Sequence, residues 1–529
     1  MDHEIRLLPS RTVFGDGEHA SVEIRNATGR AELTVLHLGE PVKRFEAYAP
    51  GIVDLGLLPA GGYGVEARIG GHVVRTAVDV AADPASRCRY GFVVDFKPDR
   101  DPARVADNLR QLHLTDVLFY DWAYRHADLL GGGETYADPL GQPVSLHTVR
   151  RVIRACHEVG SRALGYAAVY GVGNDEWPDW QKIALLTASG VPYGLGDFLS
   201  VIDPADAEWL AHFTSDLAAG VRQVGFDGFH LDQYDAKRAL RPDGSVVDLA
   251  ESFATLIAEV RAALPSSRLV FNNVNNFPIW RTARSPLNVV YIEVWPPHTT
   301  LGHLARLARE ALHEGGGKPV ALAAYQHVYD TAPTRAADLA TAFTMATLFS
   351  HGATHLLCGE ADRLLVDPYY VRNHLVESST ASMLHRWYDF LVEHIELLQH
   401  PSAVEVTGCL AGEYNGDCDV SYDGTVVDDY PTASTVWRRI VEVGDHLVMH
   451  LINLVGQDDT AWDSARNEPI PVSGGTVRAR RLGKNPPRVR VADPDRQPHL
   501  TDLSVTIDGD CVVAELPPLG VWQLLVIDL

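Results

Sequence analysis

From about Tyr90 to Glu360 the chain alternates short apolar runs with longer stretches whose apolar residues recur at helical spacing. The short runs predict strands at Tyr90–Asp95, Asp116–Trp122, Ala163–Tyr170, Gly225–Asp232, Arg268–Val274, Val289–Trp295, Pro319–Tyr325 and Thr354–Gly359. Helical stretches lie between them. Asp248 is placed to cap a helix that carries Leu249, Phe253, Leu256, Ile257, Val260 and Leu264 on one face and stops at Pro265. The stretches beginning at Arg150, Trp209 and Leu301 carry the same period. Repeated βα units give parallel strands, and eight of them over roughly 270 residues predict a (β/α)8 TIM barrel. An open doubly wound sheet is the alternative. It normally has fewer strands, and a glycine-rich dinucleotide fingerprint is missing from the first turn.

On either side the period changes to two. Ser21-Val-Glu-Ile-Arg, Glu32-Leu-Thr-Val-Leu, Tyr63-Gly-Val-Glu-Ala-Arg and Val73-Val-Arg-Thr-Ala-Val alternate apolar and polar residues between Gly, Asp and Pro breaks. Such spacing predicts an N-terminal immunoglobulin-like β-sandwich over residues 1–85. After the barrel, residues 86–398, alternation returns at His446–Asn453, Val477–Leu482, Leu503–Ile507, Cys511–Leu516 and Gly520–Ile527. This predicts a second β-sandwich over residues 399–529.

Composition narrows the partners. The 529 residues are 46% hydrophobic and 22% charged, as in ordinary globular proteins, with a formal net charge of −24. That charge argues against nucleic acid and against an anionic membrane surface, and suits a neutral partner such as a sugar polymer. No apolar run reaches transmembrane length, and Met1-Asp-His-Glu-Ile-Arg has no signal-peptide core, so the expected setting is cytoplasmic or that of a processed secreted form. The six cysteines lack metal-ligand spacing; Cys409 and Cys418 either pair across a loop or remain free thiols. The Asp-rich Asn415-Gly-Asp-Cys-Asp fits no EF-hand and reads as a solvated loop, so neither metal nor cofactor is expected.

Two predicted strands end on a carboxylate, Asp232 and Glu293. Side chains at the C-terminal ends of barrel strands converge on one mouth. Strand alternation puts Phe229 and Leu231 on one face and Gly228, His230 and Asp232 on the other; it likewise separates Val290, Ile292 and Val294 from Tyr291, Glu293 and Trp295. The apolar sets face the helices, so both acids point inward. Paired carboxylates are the minimal equipment for glycosidic cleavage. The short Asp232 suits a nucleophile, and Glu293, between Tyr291 and Trp295, suits the acid/base role. His230 is either a ligand for a sugar hydroxyl or a satisfied core histidine. Further candidate sugar contacts are Trp122, Tyr170, Trp177, Trp295 and Tyr325 for stacking, and Asp121, Asn273, Asn275 and Glu360 for hydroxyls; core packing and mutual hydrogen bonding are their structural alternatives.

The run Gly225-Phe-Asp-Gly-Phe-His-Leu-Asp-Gln-Tyr, with Phe271-Asn-Asn-Val-Asn and Tyr291-Ile-Glu-Val-Trp-Pro, resembles glycoside hydrolase family 66, the dextranases and cycloisomaltooligosaccharide glucanotransferases. Gly165-Tyr-Ala-Ala-Val-Tyr-Gly, His351-Gly-Ala-Thr-His-Leu-Leu-Cys-Gly-Glu, Leu451-Ile-Asn-Leu and Trp462-Asp agree with it. The resemblance implies a retaining enzyme acting on α-1,6-glucan, with the nucleophile at Asp232 and the acid/base at Glu293. Cyclising members carry a domain inserted late in the barrel. The stretch between the seventh and eighth strands has room for one loop and one helix, so linear products are expected. A transglucosylase and a non-catalytic carbohydrate-binding protein are the competing expectations.

Overall fold

The computed structural model describes residues 4–196, 198–234, 238–413, 415–481 and 487–528. Eight parallel strands run in sequence order around its centre: β1 Tyr90–Val93, β2 Asp116–Phe119, β3 Arg162–Ala168, β4 Gly228–Asp232, β5 Arg268–Asn272, β6 Val289–Glu293, β7 Val320–Ala323 and β8 Ala353–His355. The seam between β1 and the residues after β8 is crossed by the Phe92 N–H, which donates to Cys358 O at 3.1 Å. The result is a nearly closed parallel barrel wrapped in helices. All eight expected strands are present, but every one except the fourth leaves the ladder earlier than its apolar run suggested, because at the mouth the chain turns outward into loops. The fourth ends at Asp232 as expected and begins later. Gly225, at φ 100°, is the left-handed cap of the helix Ala207–Val224, a conformation that only glycine takes without strain.

The helix Leu249–Ala263 starts at Asp248, whose side chain accepts from the N–H groups of Ala250 and Glu251. Its Leu249, Phe253, Leu256, Ile257 and Val260 are buried against the barrel, as the period required. No described helix is long and apolar enough to cross a membrane.

Before the barrel, six strands form one hydrogen-bonded network around a separate apolar cluster. The two short strands expected around Ser21 and Glu32 are one long strand, His19–His37, paired with Glu40–Leu57 through register shifts that absorb the intervening Asn and Gly. After the barrel, a seven-stranded and a four-stranded sheet share an apolar cluster that includes Val420, Val477, Val512, Leu525 and Ile527. In the strand Trp522–Asp528 the alternate residues Trp522, Leu524 and Val526 point the other way and join the barrel's core. That strand is apolar at nearly every position because both of its faces are covered.

Cys409 and Cys418 are both free thiols, the first exposed and the second buried. The Asp-rich stretch is a solvated loop only in part: Asp417 pairs with Arg480, while Asp419 already belongs to the strand Cys418–Tyr422 and pairs with the buried Arg438.

Candidate active site

Parallel register sets the mouth. Asp232 lies level with Ala168 of β3, Asn272 with Tyr291 of β6, and Glu293 with Ala323 of β7. Inward-facing residues therefore form tiers, and the top tier holds Asp232, Asn272 and Glu293 on three consecutive strands. They line a cavity of about 340 Å³ that opens at the C-terminal end of the barrel.

The Asn272 side-chain amide joins the two acids. Its Nδ2 donates to Asp232 Oδ1 at 2.7 Å and to Glu293 Oε2 at 2.9 Å. Laid end to end, those bonds cap the gap between the two oxygens close to the roughly 5–5.5 Å of retaining glycosidases and short of the roughly 6.5–9.5 Å of inverting ones. Tyr166 Oη donates to Asp232 Oδ2 at 2.9 Å, and Tyr325 Oη donates to Glu293 Oε1 at 2.7 Å. Among the described residues, the side chains that donate to either carboxylate are neutral and none is cationic. Burial pushes Asp232 up to about 7, with repulsion from Glu293 adding to it and the hydrogen bonds from Asn272 and Tyr166 opposing it. Burial also raises Glu293, against the hydrogen bonds from Tyr325, Asn272 and Trp295. Two acids this close titrate as a pair.

His230 lies one tier below. Its Nδ1 and Tyr90 Oη are 2.9 Å apart, its Nε2 is 3.9 Å from Asp232 Oδ1, and its ring packs edge-on against Tyr291. Burial pushes it down to about 3, so it is a neutral support under Asp232 that still borders the cavity. Trp295 lines the cavity beside Tyr325. Asp121 lines it too, at a left-handed φ of 48°. Burial, with Asp138 and Asp232 nearby, raises the Asp121 carboxyl well above the usual range.

Other expected contacts are elsewhere. Trp122 is fully buried among the helices, donating its indole N–H to Tyr166 O at 3.0 Å. Tyr170 is a buried ring stacked on Tyr234, whose N–H donates to its hydroxyl at 3.0 Å. Trp177 sits in a short helix packed on the outside of the core. Asn273 is turned away from the cavity: its Nδ2 donates to Tyr291 O at 2.9 Å and its Oδ1 accepts from Thr282. Asn275 clamps the chain after β6, accepting from Trp295 N at 2.8 Å and donating to Pro296 O at 3.0 Å. Glu360 borders a different cavity, where it accepts from Val94 N and Asp95 N and pairs with Arg100. All of these except Trp177 hydrogen-bond backbone atoms of the barrel strands and the loops after them, a need that ligand-type residues meet as readily as they meet a ligand.

Asn272, Tyr166 and Tyr370 were not among the expected contacts. Strand parity could have found the first two. Arg268, Val270 and Asn272 alternate inward on β5, as Leu164 and Tyr166 do on β3, whereas Asn273 lies beyond the strand. Tyr370 comes from the loop after β8, and its ring stacks on Tyr120 at 4.2 Å, closing the side of the cavity. No period marks it. Among the described residues, no group of three or more His, Cys, Asp and Glu side chains is arranged to hold a metal ion.

Comparison with known proteins agrees with this architecture. Two curated cycloisomaltooligosaccharide glucanotransferases from Niallia circulans are 25% identical to the chain. One matches over 306 residues, 52% of this chain and 32% of the relative; the other over 281 residues, 48% and 29%. The matched segment spans about a third of the length of these relatives. The crystal structure of a Paenibacillus sp. cycloisomaltooligosaccharide glucanotransferase complexed with cycloisomaltoheptaose superposes with a TM-score of 0.88 at 18% identity, covering 99% of both chains. A maltogenic α-amylase from Thermotoga neapolitana shares the fold more loosely, with a TM-score of 0.54 at 10% identity over 84% of this chain and all of its own. The model of glycosyl hydrolase family 66 matches residues 24–526, nearly the whole sequence, and the chain belongs to that family.

Proposed function

We propose that this chain cleaves α-1,6-linked glucan with retention of configuration through a glycosyl-Asp232 intermediate. The observation that carries the reading is the single amide of Asn272 bonded to both inward carboxylates. It supports a spacing suited to direct attack, with no room for an intervening water. Glu293 gives its proton to the leaving glycosidic oxygen as Asp232 attacks the anomeric carbon. Glu293 then takes a proton from water, which attacks the same carbon and frees Asp232. The first step needs Glu293 protonated and Asp232 charged, and the Tyr166 and Asn272 donors favour charge on Asp232. His230 and Tyr90 hold Asp232 from below, while Trp295, Tyr325 and Tyr370 offer ring faces to the sugar. A division into units at residues 1–85, 86–398 and 399–529 goes with this reading, the barrel bearing the chemistry and the flanking β units framing it.

A second reading replaces the attacking water by a sugar hydroxyl, which gives transfer or ring closure. The names of the Niallia relatives and of the Paenibacillus structure favour it. The short link between β7 and β8 does not separate the two readings, because this chain covers 99% of the Paenibacillus glucanotransferase chain. Incubation with dextran, pullulan and starch, with proton NMR of the first anomer and mass spectra of the products, tests both. Linear α-configured isomaltooligosaccharides support hydrolysis, and early products one water lighter support cyclisation. Inverted product, or no cleavage of dextran, overturns the retaining α-1,6 reading.

A further inference from the structure

The catalytic cavity does not end at its own walls. Leu140, Phe198 and Tyr369 line it and also line a second cavity, and Gln142 and Val371 carry that second cavity into a third of about 420 Å³. The three form one trench across the loops that follow β1, β2, β3 and β8. Its neck is apolar: Phe198, Leu140 and Tyr369 offer the flat surfaces on which pyranose C–H faces pack. The Tyr369 ring is held by the Arg372 guanidinium, 4.8 Å from its centroid.

The far basin has a different chemistry. Lys97, Arg100, Arg104 and Arg363 face Asp95, Asp101, Glu360 and Asp362, four cations against four anions. Arg100 pairs with Glu360 and lies 3.5 Å from Asp95; Arg104 pairs with Asp362. A balanced set neither attracts nor repels an ion, which argues against a phosphate or a charged peptide. Planar carboxylates and guanidinium groups already fixed by their partners keep spare lone pairs and N–H groups. Those suit a neutral ligand rich in hydroxyls.

We infer that this basin is a remote glucosyl-binding site, joined to the catalytic cavity by the Phe198–Tyr369 neck and occupied only by glucan chains long enough to cross it. The inference rests on the α-glucan reading of the catalytic cavity and adds where one arm of the chain runs. It makes long substrates bind better through contacts far from the bond being cut, so affinity should rise in a step once the chain spans the neck.

The experiment uses the full chain carrying Asp232→Asn, which binds without cleaving. Calorimetry with isomaltooligosaccharides from the disaccharide to the heptasaccharide should show at least tenfold tightening at one length. Adding Gln142→Trp, which fills the neck, should abolish that step and leave the trisaccharide affinity within twofold. The charge-neutral double change Arg104→Ala with Asp362→Ala should shrink the step with the neck open. A length series without a step, or a step untouched by both changes, overturns the basin. Cleavage of dextran by the unaltered chain is scored separately. Cleavage without a neck-dependent step removes the basin alone, a step without cleavage keeps the basin and removes the hydrolytic reading, and no binding at any length removes both.

Discussion

Two aspartates point into the same barrel from different ends. Asp116, at the start of β2 on the floor, receives Arg162 Nε at 2.8 Å and lies 2.7 Å from Arg268 Nε. Asp232, at the end of β4, receives an amide and a phenol, and no arginine or lysine among the described residues pairs with it. Asp116 is fully buried and Asp232 largely so, and burial alone would raise both. On the floor the charges of Arg162 and Arg268 outweigh it and hold Asp116 well below the usual carboxylate range. At the mouth nothing outweighs it, and Asp232 rises to about 7. Depth does not separate a structural acid from a reactive one here; the countercharge does.

The largest test of this contrast is kinetic. Asp232→Ala should lower kcat on dextran by about 10⁴-fold or more, since the remaining groups supply binding without a nucleophile. Glu293→Gln should impair dextran far more than an aryl glucoside with a good leaving group. Near-normal turnover in Asp232→Ala would falsify the role given to the mouth.

On the floor the loss falls on stability. Asp116→Asn leaves Arg162 and Arg268 facing each other and should cost about 3–5 kcal/mol at pH 7, read from urea unfolding. Because the folded Asp116 titrates below its unfolded value, its contribution is present above about pH 4 and fades as pH falls through the folded value. The gap between parent and variant should therefore narrow in acid. An unchanged gap at pH 3 would mean that packing, not the ion triad, was lost.

Asn272→Ala sits between the two extremes. It removes a donor that favours both charged forms, so the acid limb of the kcat/KM profile should move to higher pH and kcat should fall on the order of 10²-fold. A fall without movement of that limb would assign Asn272 to shape alone.

The mouth also runs the stability argument in reverse. A carboxyl raised on folding stabilises the protein in acid and loses that contribution as pH rises through about 7. Asp232→Asn should thus gain on the order of 1 kcal/mol at pH 8 relative to the parent, with the gain absent at pH 4. Smallest of all, Trp177→Ala should leave kcat/KM within twofold, as its ring lies outside the trench.

These contrasts also show what could be read from the chain. Period and parity located eight strands and turned Asp232 and Glu293 inward, because both features follow from backbone geometry alone. The same parity picks Asn272 over Asn273, yet the run Phe271-Asn-Asn-Val-Asn drew attention to its later members. Aromatic type misled at Trp122 and Tyr170, since a ring near a strand end packs against a helix as readily as against a sugar. Tyr370, Phe198 and Tyr369 reach the trench from loops, where position depends on contacts distant in sequence. The arginine partners of Asp116 lie 46 and 152 residues away, and no local pattern joins them.

The strand Trp522–Asp528, with one face toward the barrel and one toward the four-stranded sheet, has a consequence for the order of synthesis. Trp522 covers Trp387 and Phe390 on the helix Ser378–Glu393. A ribosome releases that helix, and the whole barrel before it, well over a hundred residues ahead of the strand that seals them. Until then a sticky flank of the newborn barrel has no cover, and a stall or early stop in the last β region would leave a finished catalytic mouth on a molecule prone to clump.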